Sequence, residues 1–153
     1  MIGKLSCSQQ GVYLECIAHP ESTQYNLPFL GRFHEAMEPE TLKKAILKVI
    51  SMHPALCAVL IEDADGRVFM KTDETPLDIP VFAISEEEFA RRKECLVRPF
   101  DLYGGRLARI EIYQTPENLY LFEDMHHLIC DGSSFAVLAE DVRRALDGLN
   151  LEP

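Results

Sequence analysis

A chain of 153 residues that is 47% hydrophobic and 26% charged has enough apolar side chain for one globular core and is not a disordered polar polymer. Its net charge of −10 and pI near 4.9 exclude the basic surface that nucleic acid requires, and no apolar run approaches a membrane span. The five cysteines, Cys7, Cys16, Cys57, Cys95 and Cys130, are odd in number and include no Cys-x-x-Cys pair, which argues against a zinc site or a disulfide framework and for reduced thiols.

Lys4 leads into a mixed polar stretch rather than a signal peptide, so the expected location is the cytoplasm. Ser6 and Gln9 have the spacing of a capping box, and Val12, Tyr13, Cys16 and Ile17 recur at helical spacing until Pro20. Residues 5–19 are therefore expected to be a short helix, weakened by Gly11. Residues 25–34 read as a strand whose Pro28 suits an edge or a strand start. Pro39 fits the first position of a helix whose apolar stripe is Leu42, Ala45, Ile46, Val49 and Ile50. Residues 55–62 and 66–71 read as a hairpin closed at Asp63-Ala64-Asp65-Gly66. A calcium loop would need glycine at the sixth position, where Val68 stands.

Residues 77–84 read as a short apolar strand, and Ser85 with Glu86, Glu87 and Glu88 opens a helix reaching to about Val97. Residues 107–113 and 119–129 read as antiparallel strands around the turn Thr115-Pro116-Glu117-Asn118. Residues 134–146 return to helical spacing, and Gly148 fits the helix end. Strand pairs mixed with helices predict an α/β sandwich, a mixed sheet covered by helices.

The stretch Met125-His126-His127-Leu128-Ile129-Cys130-Asp131-Gly132 carries the chemistry. From this chain's own composition, His-His-x-x-x-Asp-Gly would arise by chance about five times in ten thousand such chains. Side chains alternate along a strand, so His126 and His127 point in opposite directions while the strand lasts. One can face reacting groups and the other must act as support. Divergent rings do not converge on a metal, and His19, His34 and His53 show no ligand spacing. An alternative reading leaves His127 and Asp131 as parts of a strand-to-helix turn, with Asp131, Ser133 or Ser134 as N-cap.

The stretch resembles the signature of the condensation domains of nonribosomal peptide synthetases, within the superfamily of His-dependent acyltransferases related to chloramphenicol acetyltransferase. The resemblance extends along the chain. It includes the Ser/Gln-rich opening around Gln9, Gln10, Gly11 and Tyr13, and the segment Met52-His53-Pro54-Ala55-Leu56. It is close at Arg98-Pro99-Phe100-Asp101-Leu102 and at the strand carrying Leu107 and Arg109. It implies a chloramphenicol acetyltransferase-like lobe and an amide-forming acyltransfer that serves secondary-metabolite biosynthesis. His127 would be the catalytic base or orienting group, a role suited to an imidazole that titrates near neutrality. His126 would support it. Asp131 would pair with an arginine, for which Arg109 is the candidate here, and Gly132 would let backbone approach substrate. No metal or nucleotide is implied; the phosphopantetheine arm belongs to carrier proteins, which are the implied partners.

Cys57 stands where the family's second motif has arginine, and Ser133 where a bulky residue follows Asp-Gly. Condensation domains have two lobes, so the resemblance implies that residues 1–153 correspond to the N-terminal one, with a C-terminal lobe as the expected missing partner. Other readings are a free-standing acyl-CoA-dependent acyltransferase completed by oligomerisation, and a non-catalytic carrier-docking module. A lobe without its mate exposes apolar surface. The chain alone is therefore expected to form homo-oligomers; light scattering should show mass rising with concentration, and a monomer at high concentration would refute this.

Overall fold

The computed structural model describes residues 2–33 and 37–151, so His34, at the end of one expected strand, lies outside the described residues. The elements in chain order are β1 (Ile2–Lys4), α1 (Cys7–Ala18), β2 (Asn26–Phe33), α2 (Pro39–Met52), a 3₁₀ turn (Pro54–Cys57), β3 (Ala58–Glu62) and β4 (Val68–Thr72). They continue with β5 (Val81–Ala83), α3 (Glu86–Lys93), β6 (Ala108–Gln114), β7 (Leu119–His126) and α4 (Gly132–Leu146).

The expected α/β sandwich is present, with its strands divided between two sheets. A four-stranded sheet runs β2-β7-β6-β5 and is mixed, because β5 lies parallel to β6 while the other pairs are antiparallel. A three-stranded antiparallel sheet runs β1-β4-β3. Pro28 does lie on an edge strand, since β2 pairs only with β7.

The amphipathic stripe of α2 explains the main core. Leu42, Ile46, Val49 and Ile50 pack with Leu138 and Val142 of α4 on one face of the larger sheet, against Ile110, Ile112, Leu121 and Met125. Each such side chain contributes about 1.5–3 kcal/mol by leaving water. The opposite face holds Phe122 and Tyr113 under Phe89 of α3. A third cluster joins Leu60, Leu107 and Leu128 to Val12, Tyr13 and Cys16 of α1. α1 buries no residue completely.

Three expected strands are clearly shorter than the sequence suggests, the first because residues 55–57 belong to the 3₁₀ turn and β3 begins at Ala58. Residues 77–80 are extended but outside the ladder, and only Val81–Ala83 pairs with β6; Leu77 and Ile79 are buried by packing, which a run of apolar residues does not distinguish from pairing. β7 ends at His126 rather than at residue 129, because the chain turns there. β1 is three exposed residues with no apolar alternation to reveal it. The turn between β3 and β4 is as expected. The Asp63 carboxylate accepts from the Asp65 and Arg67 amides, and Gly66 takes a φ of 78° that other residues disfavour.

Leu42 is fully buried, whereas Leu14 on α1 is 59% exposed. Leu42→Ala should cost about 2–5 kcal/mol in urea unfolding, and Leu14→Ala less than about 0.5 kcal/mol.

Candidate active site

β7 places the histidines. Leu119, Leu121 and Met125 face the α2–α4 core, and Phe122, Asp124 and His126 face the other way. His126, the last residue of the strand, is 3% exposed. His127, one residue on, is exposed. The two neighbours thus differ in exposure where the strand ends at His126 and the chain turns at residue 127.

His126 is locked in one tautomer. Its Nδ1 accepts from the Leu128 amide at 3.2 Å, so this nitrogen carries no proton. Nε2 therefore carries it, and lies 3.4 Å from Cys16 Sγ. The ring stands edge-on to Phe100, with centroids 5.7 Å apart. Burial, and secondarily His127, push its pKa down to about 4. A neutral ring whose basic nitrogen is already occupied is a structural acceptor, not a base.

The same residue organises the turn that presents His127. Its carbonyl accepts from the Ile129 amide at 3.0 Å and from the Cys130 thiol. The Tyr25 carbonyl accepts from the His127 amide at 2.9 Å, and the Tyr25 and His127 rings meet edge-to-face. Burial pushes the Cys130 thiol up to about 12, so it remains a donor. A cleft of about 430 Å³ between the end of α1 and residues 99–103 reaches the pair, but its lining includes His126, Cys16 and Phe100 and not His127. The cleft therefore opens on His126 rather than on His127. Of the two rings, that of His127 is the exposed one.

Asp131 caps α4. One carboxylate oxygen accepts from the amides of Ser133 and Ser134 at 3.0 and 3.1 Å and from both hydroxyls at 2.6 and 3.0 Å. These bonds, the hydroxyls first, lower its pKa. The capping role considered from sequence is therefore real. A Cβ added to Gly132 would meet nothing within 4 Å, so space is open beside the helix's first residue.

The expected Arg109–Asp131 pair is not formed. Strand register decides this: Arg109 of β6 lies opposite Asp124 of β7, and its guanidinium meets that carboxylate at 2.9 Å. Asp131 lies beyond the strand's end. Asp124 is 0% exposed. Its Oδ2 also accepts from Asn26 at 2.8 Å, while Oδ1 has no hydrogen-bond partner among the described residues. Burial raises the pKa of Asp124 and lowers that of Arg109, the two partners resisting those shifts through their mutual attraction. Removing either would strand the other, a loss of about 3–5 kcal/mol. Arg109 remains tied to the site by another route, since its guanidinium sits 4.5 Å over the Phe100 ring that packs on His126. Beside it, Arg98 meets Glu111 at 2.6 Å, and Tyr113 donates to the same carboxylate.

Sequence reading overlooked Asp124, Asn26 and Glu123. The signal was available: Glu123-Asp124 interrupts an otherwise apolar strand with two consecutive acids. Among the described residues, no group of three or more His, Cys, Asp or Glu side chains could hold a metal ion, and no helix is long and apolar enough to cross a membrane.

With this geometry in place, comparison with known proteins defines the class. The chain belongs to the condensation-domain family, whose model matches residues 2–151. It is 31% identical over 152 residues to surfactin synthase subunit 1 of Bacillus subtilis (strain 168), covering 97% of this chain and 4% of that protein. It is 29% identical over 153 residues to bacitracin synthase 3 of Bacillus licheniformis, covering 98% of this chain and 2% of that protein. Among solved structures, the starter condensation domain of rhizomide synthetase RzmA matches with a TM-score of 0.85 at 20% identity, over 100% of this chain and 40% of that one. The first condensation domain of the calcium-dependent antibiotic synthetase matches with a TM-score of 0.80 at 19% identity and the same coverage. The structural matches carry the fold.

Two buried titrations bracket the site. The unfolded imidazole titrates near 6.5, so the stability linked to His126 is complete above that pH and falls as pH drops toward about 4. Glu123, 7% exposed, runs oppositely: burial raises its pKa from 4.5 to about 7. Its contribution is complete below 4.5 and is lost as pH rises through 7. Glu123→Gln should therefore stabilise the protein at pH 8 by up to ~3 kcal/mol and leave it unchanged near pH 4, as read from urea midpoints.

Proposed function

We propose that this chain is the N-terminal lobe of a condensation domain and that, in the intact protein, it supplies the base side of an amide-forming acyl transfer. The observation that carries this reading is the exposed imidazole of His127, presented by a turn whose other histidine is buried and neutral. The family membership and the relatives' names, among them surfactin and bacitracin synthases, support it.

The substrates in this reading are a donor acyl or peptidyl thioester and an acceptor aminoacyl group, each on the phosphopantetheine arm of a carrier protein. The acceptor amine attacks the thioester carbonyl. His127 takes the proton that the amine sheds, and the sulfur leaves and ends as a thiol. Positioning the two substrates supplies much of the rate. The open space beside Gly132 suits close passage of a substrate backbone. Asp131 acts by capping α4, and His126 and Arg109 act through packing and hydrogen bonds rather than by touching substrate. The chain spans 4% or less of the two synthases compared and 40% of the solved structures, so a second lobe and the carriers are partners in this proposal. The expected location is the cytoplasm, where carrier-bound thioesters are made.

A second reading keeps the chemistry and changes the donor. A mutant of the rhizomide starter condensation domain has been solved in complex with C8-CoA, and on that observation the donor here would be an acyl-CoA. Assay of the intact domain with acyl-carrier and acyl-CoA donors separates the two. His127→Ala in that domain should lower turnover about 10²–10⁴-fold with the fold intact. Unchanged product formation would leave a carrier-docking module instead.

A further inference from the structure

Gln9 does two things with one amide. As the third residue of the α1 capping box, its Oε1 accepts from the Ser6 amide at 2.9 Å, and its own amide donates to Ser6 Oγ at 3.3 Å. The remaining end of the side chain reaches 119 residues along the chain: Nε2 donates to the Leu128 carbonyl at 2.8 Å. Which end of the amide is which follows from the partners. A backbone N–H can only donate and a backbone carbonyl can only accept. A capping box needs only the oxygen, and glutamate serves there as well as glutamine. The donor nitrogen is surplus to the helix and is used at the turn that follows His127.

We infer that Gln9 is a positioning residue for His127, an inference that rests on the catalytic reading above. Residues 126–129 form a tight turn held from within by the His126 ring and carbonyl. From outside, Tyr25 holds it at residue 127 and Gln9 at residue 128. Residues 127 and 128 thus lie between two anchored peptide groups, the 126–127 amide and the 128–129 carbonyl, and the backbone from which the His127 ring projects is held at both ends. Without the Gln9 bond, the Leu128 carbonyl is free to rotate away and the turn is anchored on one side only.

Two substitutions separate the two bonds. Gln9→Glu keeps the cap and sets a carboxylate oxygen against the Leu128 carbonyl. Ser6→Ala removes the cap's side-chain acceptor and keeps the tie. Amide hydrogen exchange is measured on the full chain. Gln9→Glu should speed exchange of Leu128 and Ile129 at least tenfold, leaving His126, which is bonded to Leu107 in the strand ladder, at its original rate. Ser6→Ala should leave Leu128 and Ile129 unchanged. In the intact domain, Gln9→Glu should lower kcat about tenfold with KM unchanged. Gln9→Met, which has neither polar atom but similar length, should repeat the exchange result if the carboxylate proves disruptive. Unchanged exchange at Leu128 in Gln9→Glu or Gln9→Met overturns the tie. Faster exchange with unchanged kcat overturns the positioning role while leaving the tie. Failure of the catalytic reading is seen separately, as full activity of His127→Ala.

Discussion

The hydrogen bond from the Leu128 amide to Nδ1 of His126 is the constraint on which the site depends. It fixes the tautomer of one histidine, closes the turn after β7 and thereby releases the next histidine to solvent. Burial makes the bond durable, because a ring held near pKa 4 does not gain the proton that would abolish its acceptor at ordinary pH. Two adjacent identical residues so acquire opposite surroundings, one at the end of a strand and buried, the other in the turn that follows and exposed.

The surroundings of that bond form a continuous support. Phe100 packs on the His126 ring, Arg109 lies over Phe100, and Arg109 is fastened to Asp124, which Asn26 also contacts. The segment 98–102 therefore serves as a strap drawn across the outer face of β6 and β7. The carbonyls of Arg98 and Pro99 accept from Arg109, so the strap is held by its backbone as well as by its side chains. A buried carboxylate with one unpartnered oxygen is tolerated here because its other oxygen takes two donors at once.

Much of this was legible in the sequence where local rules decide. The Ser6–Gln9 box, the Pro39 helix start, the Asp63–Gly66 turn and the α2 stripe all rest on contacts within a few residues. Strand alternation predicts that only one of His126 and His127 is exposed; that is so, although the strand ends at His126 and the turn, not the pleat, presents His127. What failed depended on register. Placing the turn at residues 115–118 sets Gln114 opposite Leu119, and counting back along both strands then sets Arg109 opposite Asp124. The pairing with Asp131 came from resemblance and was overruled by that geometry. The long-range tie from Gln9 to Leu128 had no signal in the sequence, since a capping box accounts for glutamine at that position without it.

The way α1 is attached carries a further consequence. It has no completely buried side chain and is held by two kinds of link: the polar ties of Gln9 to Leu128 and of Tyr13 to the hydroxyl of Tyr103, and the half-buried Val12, Tyr13 and Cys16 against Leu60, Leu107 and Leu128. Tilting such a helix would strain the polar links and uncover the apolar contact together. Heat-capacity changes scale with the apolar area uncovered, so tilting of α1, which moves the wall of the cleft beside His126, would register in calorimetry in proportion to that contact.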